Sequence, residues 1–460
     1  MPRPAPPANR APGSRPRVVV VGAGHGGLEC VKALASAAVD VLLVDRNNYH
    51  KFQPLLYQVA TAGLDVDDIT QSIRHIVRRQ ANVDVRLGLV TGVDFDGKRV
   101  LLDGGGAEPY DVLVVAPGAS TAYYGVEGAI THAFPLKNVA DAVALRSHLL
   151  RQFEAAAADP ALVGEGALTT VVVGGGPTGV EMVGAIRELT HVLAKDFPDL
   201  DVGAARVVLV DGERAPLSGY DPELRQYTAE TLRERGAELV FDTHVASVDA
   251  GGVTLSDGSR IDAGTVVWAA GVRANPLADA LGLEQTEGAR IVVDATLRVP
   301  GRPDVFVVGD AAGATDPDGE PYPGVAQVAI QQGRHVAALV EAAASGEAAD
   351  EPFAYHDLGQ MATIGRNAAV LQMPNGVKMT GFLAWVGWLL VHVVKLVGFR
   401  NQVAVLFTWA WNYVSYDRGP RLILTAEPDR DHAARPVLAT APTEDAAAGP
   451  VGGSHDPALA

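Results

Sequence analysis

The chain has 460 residues, enough for two or three domains that each bury their own hydrophobic core. Its formal net charge is −17, which argues against a nucleic-acid partner. The single cysteine, Cys30, excludes an internal disulfide framework, a cysteine-rich zinc site and an iron–sulfur cluster bound by cysteines of this chain, and we expect no metal site.

Both ends of the chain have the composition of disordered segments. Residues 1–16 are rich in Pro, Ala and Arg and contain no apolar run of signal-peptide length, which argues against secretion. Residues 425–460 are rich in Ala, Pro and acidic side chains, and we predict a disordered tail there.

The first predicted strand contains four consecutive valines, residues 18–21, and leads into glycines with the spacing G-x-G-x-x-G. These glycines are Gly22, Gly24 and Gly27. A helix is predicted from Leu28 to Ala38, and a second strand from Val39 to Val44 ends at Asp45. The glycines permit a tight turn, close approach of a pyrophosphate and close packing of helix on strand, while Asp45 can bind an adenosine ribose. This combination predicts a dinucleotide site.

The next elements continue an alternating α/β pattern. We predict strands from Val83 to Val90 and from Arg99 to Leu102 around a turn at Asp96-Gly97, then a buried strand that ends at Pro117-Gly118. A long helix is predicted from Val139 to Ala158.

The strand, glycine loop and helix then occur a second time. The glycines of this copy are Gly174, Gly176 and Gly179. Its next strand, Arg206 to Val210, ends at Asp211, whose carboxylate would repel the 2′-phosphate of NADP. Gly212 supplies no positive charge to pair with that phosphate, although Arg214 lies close by. We therefore expect this second site to prefer NAD.

The second copy continues with a helix from Asp221 to Arg235. Its further predicted strands are Glu238–Phe241, Gly252–Leu255 and Thr265–Trp268. The last strand runs into Gly271, much as the earlier strand runs into Pro117-Gly118. The duplication predicts two nucleotide-binding domains of like design.

A further buried strand begins at Asp304 and ends in Gly309-Asp310. An Asp in this position can face a ligand at the carboxyl end of a parallel sheet, or it can be a helix N-cap. Farther on, Gln327 and Gln331 have the i, i+4 spacing that places both on one helix face. Their amides could bind a polar ring substituent, or both could be solvated.

The segment from Lys378 to Leu424 differs in composition from the rest of the chain. It carries five Lys or Arg against a single Asp, and four of the five tryptophans. Its predicted helical stripe consists of Phe382, Trp385, Leu389, Val393, Leu396 and Val397, and a second helix is predicted from about Gln402 to Tyr416. The apolar run is shorter than the about 20 residues that span a bilayer, so we expect helices lying in the membrane interface. A dimer interface or a helical hairpin packed on the domain is the alternative.

Two dinucleotide sites predict electron relay, in which one site holds a flavin and the other brings a nicotinamide to it. A disulfide reductase needs a cysteine pair, and the single Cys30 excludes this chemistry as well as persulfide chemistry. The acceptor must then reach the flavin directly. The basic, tryptophan-rich segment favours an acceptor dissolved in lipid, a quinone.

The chain resembles the type II NADH dehydrogenases, single-subunit NADH:quinone oxidoreductases with two dinucleotide-binding domains, over about residues 17–424. The motifs that carry the resemblance are Phe52-Gln-Pro-Leu-Leu-Tyr-Gln-Val-Ala-Thr-Ala-Gly63, Gly309-Asp310, Ala326-Gln-Val-Ala-Ile-Gln331, Ala384-Trp385, Trp388, His392, Gly398-Phe-Arg-Asn401 and Arg421-Leu-Ile423.

The resemblance implies roles for individual residues. FAD would be bound by Gly22, Gly24, Gly27, Asp45, Thr61, Val90, Gly309, Asp310 and Ala326, and NADH by Gly174, Gly176, Gly179, Glu181, Asp211 and Gly271. The segment from Pro54 to Thr61 would line the flavin. Glu181 matches a family glutamate implicated in NADH binding and proton handling, although a glutamate in a first helical turn is also favoured by the helix dipole. Gln327 and Gln331 match the quinone-site glutamines.

We thus predict an α/β fold of two Rossmann-like domains, with the NAD domain inserted in the FAD domain, followed by C-terminal amphipathic helices. The predicted bounds are 17–120 and 296–377 for the FAD domain, 121–295 for the NAD domain and 378–424 for the membrane-associating segment. The implied activity is NADH:quinone oxidoreduction without proton pumping. The resemblance also implies a peripheral protein at the cytoplasmic face of the cell membrane, which could form a homodimer through its C-terminal region. The alternatives are a soluble NADH-dependent reductase of a ferredoxin-like protein and a non-enzymatic flavin redox sensor.

Overall fold

The structure is a computed structural model that describes residues 15–415 and 417–424. The predicted tail, most of the predicted N-terminal arm and Tyr416 lie outside the described residues. The strands are β1 Arg17–Val21, β2 Asp40–Asp45, β3 Tyr49–Lys51, β4 Thr70–Ser72, β5 Val83–Leu87, β6 Val90–Asp94, β7 Arg99–Leu102, β8 Ala107–Pro109, β9 Val112–Val115, β10 Ala119–Thr121, β11 Phe134–Pro135, β12 Thr170–Val173, β13 Val207–Val210, β14 Ala237–Val240, β15 Val245–Asp249, β16 Gly252–Leu255, β17 Arg260–Asp262, β18 Thr265–Trp268, β19 Val272–Ala274, β20 Arg298–Val299, β21 Arg302–Val307, β22 Gln360–Gly365, β23 Ala368–Gln372 and β24 Lys378–Thr380. The helices are α1 His25–Ala33, α2 Leu56–Ala60, α3 Val66–Ile69, α4 Ile73–Val77, α5 Ala129–His132, α6 Val139–Ala158, α7 Ala161–Gly164, α8 Pro177–Leu193, α9 Pro222–Glu234, α10 Leu277–Ala280, α11 Ala326–Ala344, α12 Gly381–Lys395 and α13 Phe399–Ser415.

The valine strand β1 lies in the middle of a six-stranded sheet of order β20-β21-β9-β1-β2-β5. All neighbouring strands from β21 to β5 are parallel, and only β20 pairs antiparallel. Val18, Val19 and Val20 are fully buried, as expected for a strand covered on both faces.

The second sheet has the order β11-β18-β12-β13-β14 and repeats the design of the first. Strand β12 lies between β18 and β13, as β1 lies between β9 and β2. A three-stranded antiparallel sheet precedes β9 in the first unit (β6-β7-β8) and precedes β18 in the second (β15-β16-β17). The second unit is inserted between β9 and β21 of the first sheet, and β10 pairs with β19 where the chain passes between the units. The predicted α/β fold class is therefore confirmed.

Some predicted elements have different bounds. The strand predicted from Val83 to Val90 is two strands in different sheets, because the chain leaves the first sheet at Gly88, whose amide donates to the Asp45 carbonyl at 2.9 Å. The helix predicted from Leu28 begins at His25 and ends at Ala33, where a 3-10 turn tightens its end. The N-cap alternative for Asp310 is wrong, because this residue lies within a 3-10 turn and α11 begins only at Ala326.

The C-terminal part consists of the sheet β22-β23-β24 and the helices α12 and α13. The second helix begins three residues earlier than predicted, directly after Gly398, whose φ of +95° reverses the chain. Most of the predicted stripe on α12 faces the protein, with Val393 and Leu396 buried and only Phe382 largely exposed. Other apolar side chains are exposed instead, namely Leu383, Leu390, Val391, Val394, Val403, Leu406, Phe407, Trp411 and Val414. None of the helices among the described residues is long and apolar enough to cross a bilayer.

Candidate active site

The first glycine loop has the geometry of a pyrophosphate cradle. A β-carbon at Gly22 would lie 2.2 Å from the Ala116 carbonyl oxygen, and one at Gly27 would lie 1.9 Å from that of Gly22, so both positions require glycine. A β-carbon at Gly24 would meet no atom within 4 Å. The backbone is thus open to a ligand at Gly24 while its flanks are closely packed, and the residues present fit a dinucleotide such as FAD.

The second loop repeats this geometry. A β-carbon at Gly179 would lie 1.8 Å from the carbonyl oxygen of Gly174, where φ is +106°, and one at Gly176 would meet no atom within 4 Å. Each loop is also bound by an acid at the carboxyl end of the next strand. Asp211 accepts from the amide of Gly175 and, at 2.7 Å, from that of Glu213.

Asp45 occupies the equivalent position in the first unit. Its carboxylate accepts from the amide of Ala23 at 2.6 Å and from that of Asn47 at 2.7 Å. Both acids are thereby held beside the open glycine of their own loop, where a ribose next to the pyrophosphate would lie.

Helix α11 brings a second chain segment to the first loop. A β-carbon at Gly333 would lie 2.2 Å from the Gly26 carbonyl oxygen, so α11 crosses α1 in close contact. The amide of Gly309 donates to the buried Gln332 side chain at 2.6 Å, and the Asp310 carboxylate lies 3.7 Å from the Lys137 ammonium. The Gly309-Asp310 turn and the N-terminus of α11 at Ala326 therefore lie beside the first glycine loop.

Three other predicted residues lie outside the two glycine motifs and are structurally constrained, and Gly271 directly follows Ala270, whose backbone packs against Gly174 of the second loop. Thr61 is fully buried at the end of α2, and its hydroxyl donates to the Tyr57 carbonyl at 2.9 Å. Val90 is buried at the start of β6. Gly271 has a φ of +153°, and a β-carbon there would lie 2.1 Å from the Tyr124 hydroxyl.

Glu181 is a buried carboxyl on α8, two residues beyond the second glycine loop. It is 9% exposed, and one carboxyl oxygen lies 3.5 Å from the amide nitrogen of Thr363. Burial raises the pKa of Glu181 to about 8, while the Thr363 amide and the Trp388 side chain partly oppose this by favouring the carboxylate. Glu181 is therefore protonated at neutral pH and holds a proton close to the second dinucleotide loop.

Gln327 and Gln331 bind one backbone segment rather than solvent. The amide group of Gln327 donates to the Gly359 carbonyl at 3.0 Å and accepts from the amide of Leu358 at 3.2 Å. Gln331 donates to the His356 carbonyl at 2.8 Å and accepts from the His356 amide at 2.9 Å. Both side chains thus hold the segment 356–359 that leads into β22.

A cavity of about 770 Å³ lies between α8, α12 and α13. Glu181, Tyr57 and Trp388 line its inner part, and the exposed apolar side chains of Phe382 and Leu390 line its outer part. The cavity thus connects the apolar surface of the C-terminal helices with the buried carboxyl. Gln327 and Gln331 do not line this cavity, so the structure separates the two predicted glutamines from the predicted glutamate.

A chain of ring contacts joins the first glycine loop to α12. The His25 and Phe52 ring centroids are 6.2 Å apart, and those of Phe52 and His392 are 6.1 Å apart. His392 stacks on Trp388 at 4.0 Å, and burial lowers its pKa to about 4. The neutral imidazole and the indole therefore pack α12 against the predicted flavin-lining segment.

Sequence reasoning missed Thr363, Glu188 and Arg418 as site residues. Arg418 donates to the Glu188 carboxylate at 2.7 Å on the wall of the cavity. Glu188 follows Glu181 by two helical turns, and this spacing is the one signal in the sequence that places it on the same helix face. No local pattern marks Thr363 or Arg418.

Comparison with known proteins agrees with this architecture. A family profile described as Pyridine nucleotide-disulphide oxidoreductase matches residues 16–333, and one described as NDH2 C-terminal domain matches residues 357–415. A solved structure of NDH2 from Plasmodium falciparum in complex with NADH has a TM-score of 0.81 at 19% identity, covering 89% of this chain and all of that chain. The structural likeness supports the fold.

Sequence relatives identify the family. The Type II NADH:quinone oxidoreductase Ndh of Mycobacterium tuberculosis is 41% identical over 424 residues, covering 89% of this chain and 90% of the relative. The mitochondrial internal alternative NAD(P)H-ubiquinone oxidoreductase A1 of Arabidopsis thaliana is 32% identical, covering 87% of this chain and 85% of the relative. This chain belongs to the type II NADH:quinone oxidoreductase family of enzymes.

Proposed function

We propose that the chain oxidises NADH and reduces a membrane quinone. The observation that carries this proposal is the cavity that leads from the exposed apolar surface of α12 and α13 to the buried Glu181 carboxyl. A quinone ring and part of its isoprenoid chain are apolar enough to enter such a cavity from a lipid phase. Glu181 lies on the helix that follows the second dinucleotide loop, so the cavity ends close to the NADH site.

The reaction needs one proton beyond the hydride. NADH supplies a hydride, which carries two electrons and one proton, and a quinone takes up two electrons and two protons to form the quinol. FAD, when bound, supplies the chemistry that accepts the hydride and passes on the electrons. The protonated Glu181 holds a proton at the inner end of the cavity, which supports a role in supplying the second proton.

The proposed binding residues follow from the two loops. Gly22, Gly24, Gly27 and Asp45 hold FAD together with the Gly309-Asp310 turn, the start of α11, Thr61 and Val90. Gly174, Gly176, Gly179, Asp211 and Gly271 hold NADH. Gln327 and Gln331 act on the quinone either directly, after releasing the segment 356–359, or indirectly, by fixing that segment and with it the start of β22, which carries Thr363.

The exposed apolar side chains of α12 and α13 support peripheral attachment to a membrane, which we propose to be the cytoplasmic face of the cell membrane. Val394 is 73% exposed and Phe407 is 70% exposed, and they are accompanied by Lys395 and Arg400. Such a mixture suits a helix pair lying in the lipid interface. A homodimer through the same face is the competing use of this surface.

A stopped-flow experiment tests the proposed reaction. The purified flavoprotein is reduced anaerobically with one equivalent of NADH and then mixed with a short-chain quinone, and flavin absorbance near 450 nm reports reoxidation. We expect rapid reoxidation that slows at least about tenfold in a Leu389→Glu variant, because a charge in the cavity wall opposes an apolar ligand. Gln327→Ala and Gln331→Ala test the glutamines separately.

Two results would contradict the proposal. Fast reoxidation by a ferredoxin and none by any quinone would favour the soluble reductase. Slow reoxidation by every acceptor, together with stable binding of NADH, would favour the redox sensor.

A further inference from the structure

We infer that Arg418 is a positioning residue that fixes the helix carrying Glu181 and the predicted flavin-lining segment against each other. The inference rests on the proposed function and concerns the same site. Arg418 follows α13 and is 8% exposed. Its guanidinium donates to the carbonyls of Thr61, at 2.5 Å, and Ala185, at 3.2 Å, and to the Glu188 carboxylate at 2.7 Å.

On one side, these contacts hold α8. Ala185 and Glu188 lie one and two turns beyond Glu181, and all three residues line the cavity. A guanidinium that binds both the backbone and a side chain of this face therefore fixes the rotation of α8 about its axis. The direction in which Glu181 enters the cavity depends on that rotation.

On the other side, Arg418 holds the end of the predicted flavin-lining segment. The chain turns sharply at Ala62, whose φ of +55° is rarely adopted by residues with a side chain. This turn presents two carbonyls to the C-terminal segment. Thr61 is bound by Arg418, and Gly63 is bound by the side-chain amide of Asn412 at 3.1 Å.

Helix α13 binds the same segment at two further places. The Trp409 indole donates to the Gln58 side chain at 2.8 Å, and the Asn401 amide donates to the carbonyls of Asp67 and Thr70 at 3.0 and 2.9 Å. Residues 58–70 are therefore held by the C-terminal segment along their length. The C-terminal segment therefore supports the candidate active site in addition to forming an apolar surface.

The chemistry of this contact requires arginine. A planar guanidinium can donate in several directions within one plane and so satisfies two carbonyls and a carboxylate together, whereas a lysine ammonium on a flexible stem cannot reproduce this arrangement. Loss of Arg418 leaves Glu188 beside Arg235, 3.7 Å away, so the carboxylate keeps a positive neighbour. Replacing Arg418 therefore chiefly removes the link between α8 and the segment that ends at Thr61, while the Glu188 carboxylate stays compensated by Arg235.

Arg418→Gln, with Arg421→Gln as its matched control, tests the inference. Arg421 lies on the same segment and pairs with Asp196 at 2.7 Å, and it also donates to the Asp417 carboxylate and to the backbone carbonyl of Arg418. Its partners include neither Thr61 nor Glu188, so its replacement leaves the guanidinium contacts of Arg418 in place. Both variants lose one positive charge. The readouts are anaerobic flavin reduction by NADH in stopped flow, the visible flavin spectrum and flotation with anionic phospholipid vesicles.

We expect flavin reduction to slow about 10- to 100-fold in Arg418→Gln, because small displacements of reacting groups have effects of this size. The flavin spectrum should shift, and vesicle binding should stay within twofold of the wild type. Arg421→Gln should stay within twofold in all three readouts. Arg418→Lys should restore little of the lost rate.

Equal rates and spectra for the two glutamine variants would overturn the inference. So would a wild-type rate in Arg418→Lys, or a rate that falls only in parallel with vesicle binding. If Arg418→Gln does not fold, Glu188→Ala, which removes the side-chain oxygen that Arg418 binds, takes its place. If NADH fails to reduce even the wild-type flavin, the proposed function fails, and the spectra of the two variants still decide the role of Arg418.

Discussion

A carboxyl oxygen of Glu181 lies 3.5 Å from the backbone nitrogen of Thr363, although 182 positions separate the two residues in the chain. Their contact joins the helix that follows the second dinucleotide loop to the C-terminal sheet. It is also the place where a carboxyl is kept away from water, because Trp388 of α12 covers it and is 1% exposed. The C-terminal part of the chain therefore creates the environment that protonates Glu181.

The first prediction concerns the pH dependence of stability. The pKa of Glu181 is about 8 in the folded protein against an ordinary value of 4.5, so between these values the folded state binds a proton that the unfolded state has lost. The contribution of this group to the free energy of unfolding therefore falls as pH rises from about 5 to 8, by up to about 1.4 kcal/mol per unit.

Glu181→Gln removes this dependence. Urea titrations at pH 5 and pH 8.5 should show the stability of the variant, relative to the wild type, rising by about 3 to 5 kcal/mol between the two conditions. Stability curves that stay parallel across this range would contradict a buried, protonated Glu181. Wild-type turnover with quinone should fall above pH 8, where Glu181 loses the proton that it would supply. Turnover of Glu181→Gln should be low throughout and should not change over this pH range.

The sequence predicts the local parts of this site and misses the non-local ones. Both glycine loops and their acids could be predicted, because strand, loop, helix and acid follow one another within a few tens of residues. Thr363 and Arg418 could not, because their partners lie in other units and no periodicity marks them. The separation of Gln327 from the cavity was missed for the same reason, since it depends on where the segment 356–359 folds.

The helical segment shows a second limit of sequence reasoning. The stripe on α12 has a helical period, but a period does not tell which side of an apolar helix faces the protein. In the structure Val393 is buried and Val394 is exposed, and both are valines. Only the packing of α12 on β23 and the contact of its Trp388 ring with Tyr57 of α2 resolve that choice.

The second prediction separates the roles of two glycines in the second glycine loop, where we propose that NADH binds. A methyl group at Gly179 would collide with the Gly174 carbonyl, so Gly179→Ala should lower the free energy of unfolding by about 1 to 3 kcal/mol. Gly176→Ala should leave stability within about 0.5 kcal/mol, because nothing lies within 4 Å of the added carbon and the backbone there is extended. The methyl group would instead meet the pyrophosphate, and KM for NADH should rise about tenfold or more with FAD still bound. An unchanged KM would show that the dinucleotide does not approach Gly176.

The third prediction concerns coenzyme choice. The Asp211 carboxylate accepts from the amides of Gly175 and Glu213 with its two oxygens, so Asp211→Asn should remove the charge that repels a 2′-phosphate and keep one of these two hydrogen bonds through its single amide oxygen. We expect kcat/KM for NADPH to rise about tenfold, which corresponds to about 1.4 kcal/mol, and that for NADH to fall. Asp201→Asn is the control, because Asp201 is exposed beyond the C-terminal end of α8 and accepts from the Gly203 amide at 3.1 Å, a contact that an Asn oxygen can keep. An equal rise of kcat/KM for NADPH in both variants would show that the effect comes from the lower net negative charge of the protein and not from the position of Asp211.

The last prediction concerns the exposed apolar face of α12 and α13. Val394 and Phe407 are largely exposed and do not line the cavity, so Val394→Glu/Phe407→Glu should preserve the fold and the reduction of flavin by NADH. Burial of each side chain in lipid is worth about 1.5 to 3 kcal/mol, so vesicle binding should weaken about 100-fold or more. Ile130→Glu, at an exposed apolar position of the second unit, is the control and should bind vesicles as the wild type does. Turnover with a long-chain quinone in vesicles should fall together with binding, while turnover with a water-soluble quinone should not. If the double variant changes only from dimer to monomer in light scattering and still binds vesicles, this face joins two copies of the chain instead of contacting the membrane.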